Sequence, residues 1–194
     1  MRSRKRGILH GFACLMALLL LGQATGKDSP LIVRVCNYSG AENSVLFQAE
    51  AVARRIFLDA GVDTEWSSGS DERRLNPSML TVQIFPGHSN HDDLKDAFGS
   101  AMLDKKDPPF LADVFFGTIE GKASTRNEEA LILGHVMAHE VGHLLLGAKH
   151  TPDTIMAGEL SGRDLPLMRA GRLQFSKSQS ERLRLAVAFR QQAR

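Results

Sequence analysis

The 194-residue chain carries 24 basic and 22 acidic side chains, a formal charge of +2, and two cysteines. Four of the basic residues and none of the acidic ones fall in the first 26 positions, so the remaining 168 residues (194 − 26) hold 20 basic against 22 acidic groups, a formal charge of −2. That balance offers no electrostatic footprint for nucleic acid or an anionic membrane, and with Cys14 in the leading stretch Cys36 stands alone, so a disulfide framework is excluded.

Arg2, Arg4, Lys5 and Arg6 precede an apolar run from Ile8 to Leu21 that ends in Ala24-Thr25-Gly26, the layout of a secretory signal peptide cleaved after residue 26. The run is shorter than the roughly 20 apolar residues of a membrane-spanning helix. The expected product is therefore a secreted or periplasmic domain, residues 27–194, with no stable membrane anchor after cleavage. An exported chain with one thiol must rely on its core, helped by a metal if one binds.

Leu31 to Cys36 is short, β-branched and bounded by Pro30 and Asn37, which predicts a strand with Cys36 in the core, the alternative being a ligand or reactive thiol. Ser39-Gly40-Ala41-Glu42 has capping-box spacing, and Val45, Ala49, Val52 and Ile56 recur at helical intervals until Gly61. Val62 to Trp66 predicts a second strand, making the helix a crossover onto a sheet. Met79 to Phe85 predicts a third strand, and residues 88–109 a loop with one short strand around Phe98 to Leu103. Leu111 to Ile119 predicts a strand near an edge of the sheet. Thr125-Arg126-Asn127-Glu128 is a second capping-box spacing opening an apolar helix that runs to Leu146 and stops at Gly147. Leu160 to Gly171 reads as irregular, and a last helix runs from about Ser176 to Gln192. No repeat, low-complexity segment or linker divides the chain.

The stretch HVMAHEVGHLLLGAKHTPDTIM, His135 to Met156, carries the chemistry. His139 and His143 lie four apart on the predicted helix and project from one face, so both imidazoles can reach one ion. A catalytic zinc takes three protein ligands and keeps a position for water, and the order His139-Glu140-Val141-Gly142-His143 sets Glu140 beside that water as general base. The flanks Val136, Met137, Ala138, Val141 and Leu144 make the helix apolar nearly all round, so it is predicted to be buried. Unpartnered polar groups there would be costly, and a metal removes the cost. The third ligand must come from outside the helix; Gly147 supplies the turn toward His150, with Asp153 or water as substitutes. His135 reads as a core or outer-shell histidine, and His88 and His91 as loop residues.

The stretch resembles the zinc helix of metzincin metallopeptidases, H-E-x-x-H-x-x-G-x-x-H followed by a methionine turn. Thr154-Ile155-Met156 stands where that turn would lie, with Met156 as the floor beneath the metal. The string HEVGHLLLG is similar to that of small secreted bacterial metzincin-like, matrixin-like proteins. The resemblance implies an α+β fold covering nearly all of residues 27–194: a twisted mixed β-sheet with a crossover helix, a zinc-binding helix, a methionine turn and a C-terminal helix. It further implies Zn2+ held by His139, His143 and His150, Glu140 as general base, and hydrolysis of peptide bonds in a substrate lying extended beside an edge strand, for which Asp113 to Ile119 is the candidate. The partners expected are peptide or protein substrates, with no nucleic acid and no second copy of the chain. The alternative is a non-catalytic scaffold of the same fold, with structural zinc, that binds peptides or proteins. One departure is countable: three residues, Leu144 to Leu146, separate His143 from Gly147 where the family has two. A second is the missing tyrosine after the methionine turn, since Tyr38 is the only tyrosine.

Overall fold

The computed structural model describes residues 29–68, 79–89, 97–104, 107–158 and 164–192. The expected signal peptide, residues 1–26, and His91 lie outside the described residues.

In chain order the elements are β1 (Leu31–Asn37), α1 (Asn43–Asp59), β2 (Thr64–Ser68), β3 (Leu80–Phe85), β4 (Gly99–Ala101), β5 (Leu111–Phe115), α2 (Phe116–Glu120), α3 (Arg126–Leu146), α4 (Leu165–Arg169) and α5 (Lys177–Gln192). The strands form one five-stranded sheet in the order β2-β1-β3-β5-β4. The pairs β1–β2, β1–β3 and β3–β5 are parallel, and β4 alone runs antiparallel, on β5. The fold is α+β with a mixed sheet, and α1 is the crossover between parallel β1 and β2. Such a connection is what parallel neighbours demand.

The core lies where the sheet, α1 and α3 meet. Val33, Val82, Ile84, Ala112 and Val114 point from the strands, Ala49, Ala53 and Phe57 from α1, and Leu133, Met137, Ala138 and Val141 from α3, all essentially without solvent contact. Each large aliphatic side chain so buried contributes about 1.5–3 kcal/mol. Cys36 is buried in the interior, as its apolar strand implies.

The structure differs from the sequence-based expectation at three places. Asp113 to Ile119 is not an edge strand: β5 stops at Phe115, residues 116–120 form α2, and β5 lies inside the sheet between β3 and β4. The edge beside α3 is β4, whose three residues, Gly-Ser-Ala, are too few to show an alternating pattern. The capping box at Ser39 also does not form. Glu42 precedes the first turn of α1 and makes no side-chain cap, while Ser39 Oγ donates to Asn37 Oδ1 at 2.7 Å and accepts from the Ala41 amide at 3.1 Å. A local turn thus takes the hydroxyl that a cap would have used. Finally, the segment read as irregular contains the single turn α4.

α1 and α3 touch through Gly134. A Cβ placed there would stand 2.6 Å from the Ala49 carbonyl oxygen and 2.6 Å from Val52 Cβ, closer than van der Waals contact permits. Gly134→Ala would gain about 1 kcal/mol of helix propensity but overpack the interface by about 1–3 kcal/mol. The expected outcome is a lower Tm, measured by thermal unfolding, whereas an unchanged or raised Tm would show that the two helices can separate at little cost.

Candidate metal centre

The helix that carries the motif is fixed at both ends. Thr125 Oγ1 accepts from the Glu128 amide at 3.2 Å, as the capping spacing predicts, while the Glu128 carboxylate accepts from the Ser124 amide at 2.8 Å, one residue earlier than in the reciprocal box. Glu128 and Glu129 place negative charge in the first turn, where the helix dipole favours it. At the other end Gly147 adopts φ 87°, ψ −176°, a region essentially restricted to glycine. The additional residue between His143 and Gly147 is absorbed by carrying α3 through Leu146 before that turn. Gly147 then directs the chain back and aims its own carbonyl at the helix, where it accepts from His143 Nδ1 at 2.9 Å.

This brings His139, His143 and His150 together. One ring nitrogen of each lies within 4.8 Å of the others, with His139 and His143 buried and His150 exposed. His143 Nε2 stands 2.9 Å from His139 Nε2 and 3.1 Å from His150 Nε2. The distances resemble hydrogen bonds, but the tautomers forbid one between the two helical rings. His139 Nδ1 lies 2.6 Å from the Ile155 carbonyl oxygen and His143 Nδ1 2.9 Å from that of Gly147. A carbonyl only accepts, so each Nδ1 carries a hydrogen and each neutral ring presents a bare lone pair at Nε2. Burial holds both rings neutral at pH 7. Desolvation pushes His139 down to about 4, opposed by its bond to Ile155, and likewise lowers His143.

Two lone pairs at 2.9 Å repel unless a cation lies between them. Nitrogens bound to one tetrahedral zinc ion at 2.0–2.1 Å would stand roughly 3.3 Å apart, within a few tenths of an ångström of the spacings here. The donor set, three imidazoles with two of them oriented by backbone carbonyls, fits Zn2+.

Glu140 follows His139 on the helix and is 4% exposed. Burial, and secondarily the charge of Asp113, push its carboxyl up to about 8, and its Oε2 has no hydrogen-bond partner among the described residues. The carboxyl lies against β4: a Cβ on Gly99 would come within 2.7 Å of Glu140 Oε1. Glu140 and the three histidines line a cavity of about 270 Å3 whose opposite wall is β4 with Phe98. Beneath the helix, Met156 is fully buried. Its sulfur packs so close to Gly142 that a Cβ there would stand 2.6 Å away. A tight turn seats it: Thr154 Oγ1 donates to the Thr151 carbonyl at 2.9 Å and accepts from the Met156 amide at 3.1 Å.

The other singled-out residues lie elsewhere. His135 is buried with Nδ1 donating to the Leu131 carbonyl at 2.8 Å, outside the cluster. Exposed His88 pairs through Nδ1 with Thr118 Oγ1 at 2.9 Å. Asp153, the substitute ligand considered for His150, is exposed, in a left-handed backbone conformation, and outside the cluster. Sequence reasoning missed the carbonyls of Ile155 and Gly147, which have no side-chain signature, and Gly99, whose role depends on which strand faces α3.

No family model matches the sequence, and no curated protein does. Solved structures do match. A zinc-dependent peptidase from Methanocorpusculum labreanum (strain Z) is similar at TM-score 0.56 and 14% identity, over 78% of this chain and 99% of that one. Archaemetzincin from Methanopyrus kandleri matches at TM-score 0.56 and 14% identity, over 87% of this chain and 99% of its own. Archaemetzincin from Archaeoglobus fulgidus, complexed with malonate, matches at TM-score 0.52 and 16% identity, over 78% and 99%. At such identities the likeness shows the fold: this chain has the α+β architecture of those proteins across nearly their whole length.

Proposed function

We propose that this chain is a secreted or periplasmic zinc-dependent endopeptidase of the metzincin type, matrixin-like in its zinc-helix sequence, with residues 27–194 as one catalytic domain acting as a monomer on peptide or protein substrates. The observation that carries the reading is the pair of facing Nε2 lone pairs on His139 and His143, with His150 Nε2 beside them and a buried carboxyl, Glu140, in the same cavity. The zinc-dependent peptidase and the archaemetzincins that share the fold support it.

His139, His143 and His150 would hold the ion. When bound, zinc supplies a Lewis acid that polarises the substrate carbonyl, acidifies water and, by its charge, draws the Glu140 carboxyl back toward its ionised form. Glu140 takes the proton of the attacking water and returns it to the leaving amine. Ile155 and Gly147, through their carbonyls, hold the imidazoles of His139 and His143 in the tautomer that leaves Nε2 free. Among the described residues β4 is the edge of the sheet beside the cavity, along which an extended peptide would add as a further strand. A structural zinc is closed by a fourth protein ligand. Among the described residues the cluster holds three such side chains, which favours the catalytic reading over the scaffold.

Two experiments test the proposal. Residues 27–194 should contain one zinc per chain by elemental analysis and cleave casein or members of a peptide library. Glu140→Ala should keep the zinc and lose activity by about 10²–10⁴-fold, the contribution of a general base, while His150→Ala should bind zinc more weakly. Stoichiometric zinc with no cleavage by the intact protein would leave the scaffold reading, and absence of zinc would sink both. For location, expression of the whole chain in a secreting bacterium should yield extracytoplasmic protein whose N-terminus, by mass spectrometry, is Lys27; cytoplasmic protein retaining residues 1–26 would refute export.

A further inference from the structure

Glu140 must be more than present: its carboxyl has to sit in the cavity in one rotamer. Among the described residues, the strand that lies against it is β4. On β4, Gly99 pairs with Val114 of β5, so the two share the face turned toward α3, where Val114 is wholly buried. β4 is held there by the Phe115 amide on the Phe98 carbonyl at 2.8 Å and the Met102 amide on the Leu111 carbonyl at 2.9 Å.

At Gly99 there is no room for a side chain. A Cβ would stand 2.7 Å from the Asp113 carbonyl oxygen, 2.7 Å from Glu140 Oε1 and 2.8 Å from Glu140 Cγ. The backbone at Gly99 is not in the left-handed region, so space and not conformational freedom is what glycine supplies. The neighbours differ in stiffness. The Asp113 carbonyl belongs to a strand paired on both sides, while Glu140 Oε1 and Cγ belong to a side chain that can rotate. A methyl at residue 99 therefore displaces the carboxyl first.

We infer that Gly99 is a positioning residue: the absence of a side chain at this point of β4 forms the seat that holds the Glu140 carboxyl in the cavity. The inference rests on the proposed role of Glu140 for its catalytic consequence, but the contact itself is independent of any activity.

The test is a double-mutant cycle with Gly99→Ala, Glu140→Ala and the double variant, read by zinc content, thermal unfolding and cleavage. Glu140→Ala removes Cγ and Oε1 but leaves the Asp113 carbonyl, so the strand component of the clash cancels in the cycle. Gly99→Ala should keep one zinc per chain, lower kcat by about 10²-fold, as an ångström-scale misplacement does, and change KM much less. Its Tm loss should be smaller by roughly 2–4 °C or more in the Glu140→Ala background than in the wild type. Equal Tm losses in both backgrounds would overturn the contact. A smaller loss with kcat unchanged, or loss of zinc from Gly99→Ala, would overturn the positioning role. If Gly99→Ala alone does not fold, recovery of folding in the double variant supports the inference, and failure of both variants overturns it. An intact protein that binds zinc and cleaves nothing would refute the proposed function, while the thermal cycle would still decide whether Gly99 seats Glu140.

Discussion

The site depends on two hydrogen bonds in which a histidine donates to a backbone carbonyl: His139 to Ile155 and His143 to Gly147. They settle the tautomer of both rings, and with it the location of both lone pairs. Without them the imidazoles would be free to share a proton, and the 2.9 Å approach of their Nε2 atoms would be an ordinary hydrogen bond. With them it is an electrostatic conflict that only a cation resolves. One acceptor comes from the turn that ends α3 and the other from the turn that seats Met156, so the geometry of two loops is written into the preference for metal.

The helix that carries both rings is itself closely packed. α3 is held on one side by α1, with Gly134 permitting close approach, and on another by the sheet. Below, Met156 and Phe175 close on Gly142, where a Cβ would be 2.6 Å and 3.1 Å from their respective side chains. Three glycines thus set three distances: Gly134 to α1, Gly142 to the floor and Gly99 to β4. Each sits where a heavier residue would push apart groups the site needs together. Close packing of this kind transmits small displacements instead of absorbing them.

Burial has opposite effects on the two kinds of site residue, and both suit a metal. It lowers the pKa of His139 and His143, keeping them neutral and ready to coordinate, and it raises that of Glu140, which favours the protonated carboxyl until positive charge arrives. Around pH 7 the two buried imidazoles are therefore neutral, and a dication held by them would meet two desolvated lone pairs and a carboxyl that it can ionise.

Much was legible in the sequence because it rests on local chemistry. Helical spacing brought His139 and His143 to one face, apolar flanks announced the burial of α3, Thr125 marked its start and Gly147 its end. Burial of Cys36 and the strand–helix–strand order at the start of the chain were equally readable. What failed was non-local. Among the described residues the sheet order moved the edge from residues 113–119 to β4, because strand order is decided by how the elements pack together and not by any pattern within a strand. The exception is local: Ser39 turned its hydroxyl to Asn37 instead of capping α1. The one-residue displacement of His150 could be counted in the sequence, but whether it spoils the cluster depends on the path taken after Gly147, a property of φ, ψ and the contacts beyond. The sequence by itself determined the ligand types, their helical register and the need to bury them. Only the tertiary structure decided the third histidine's place, the tautomers of the other two and the glycine against Glu140, since each depends on atoms brought together from segments far apart in the chain.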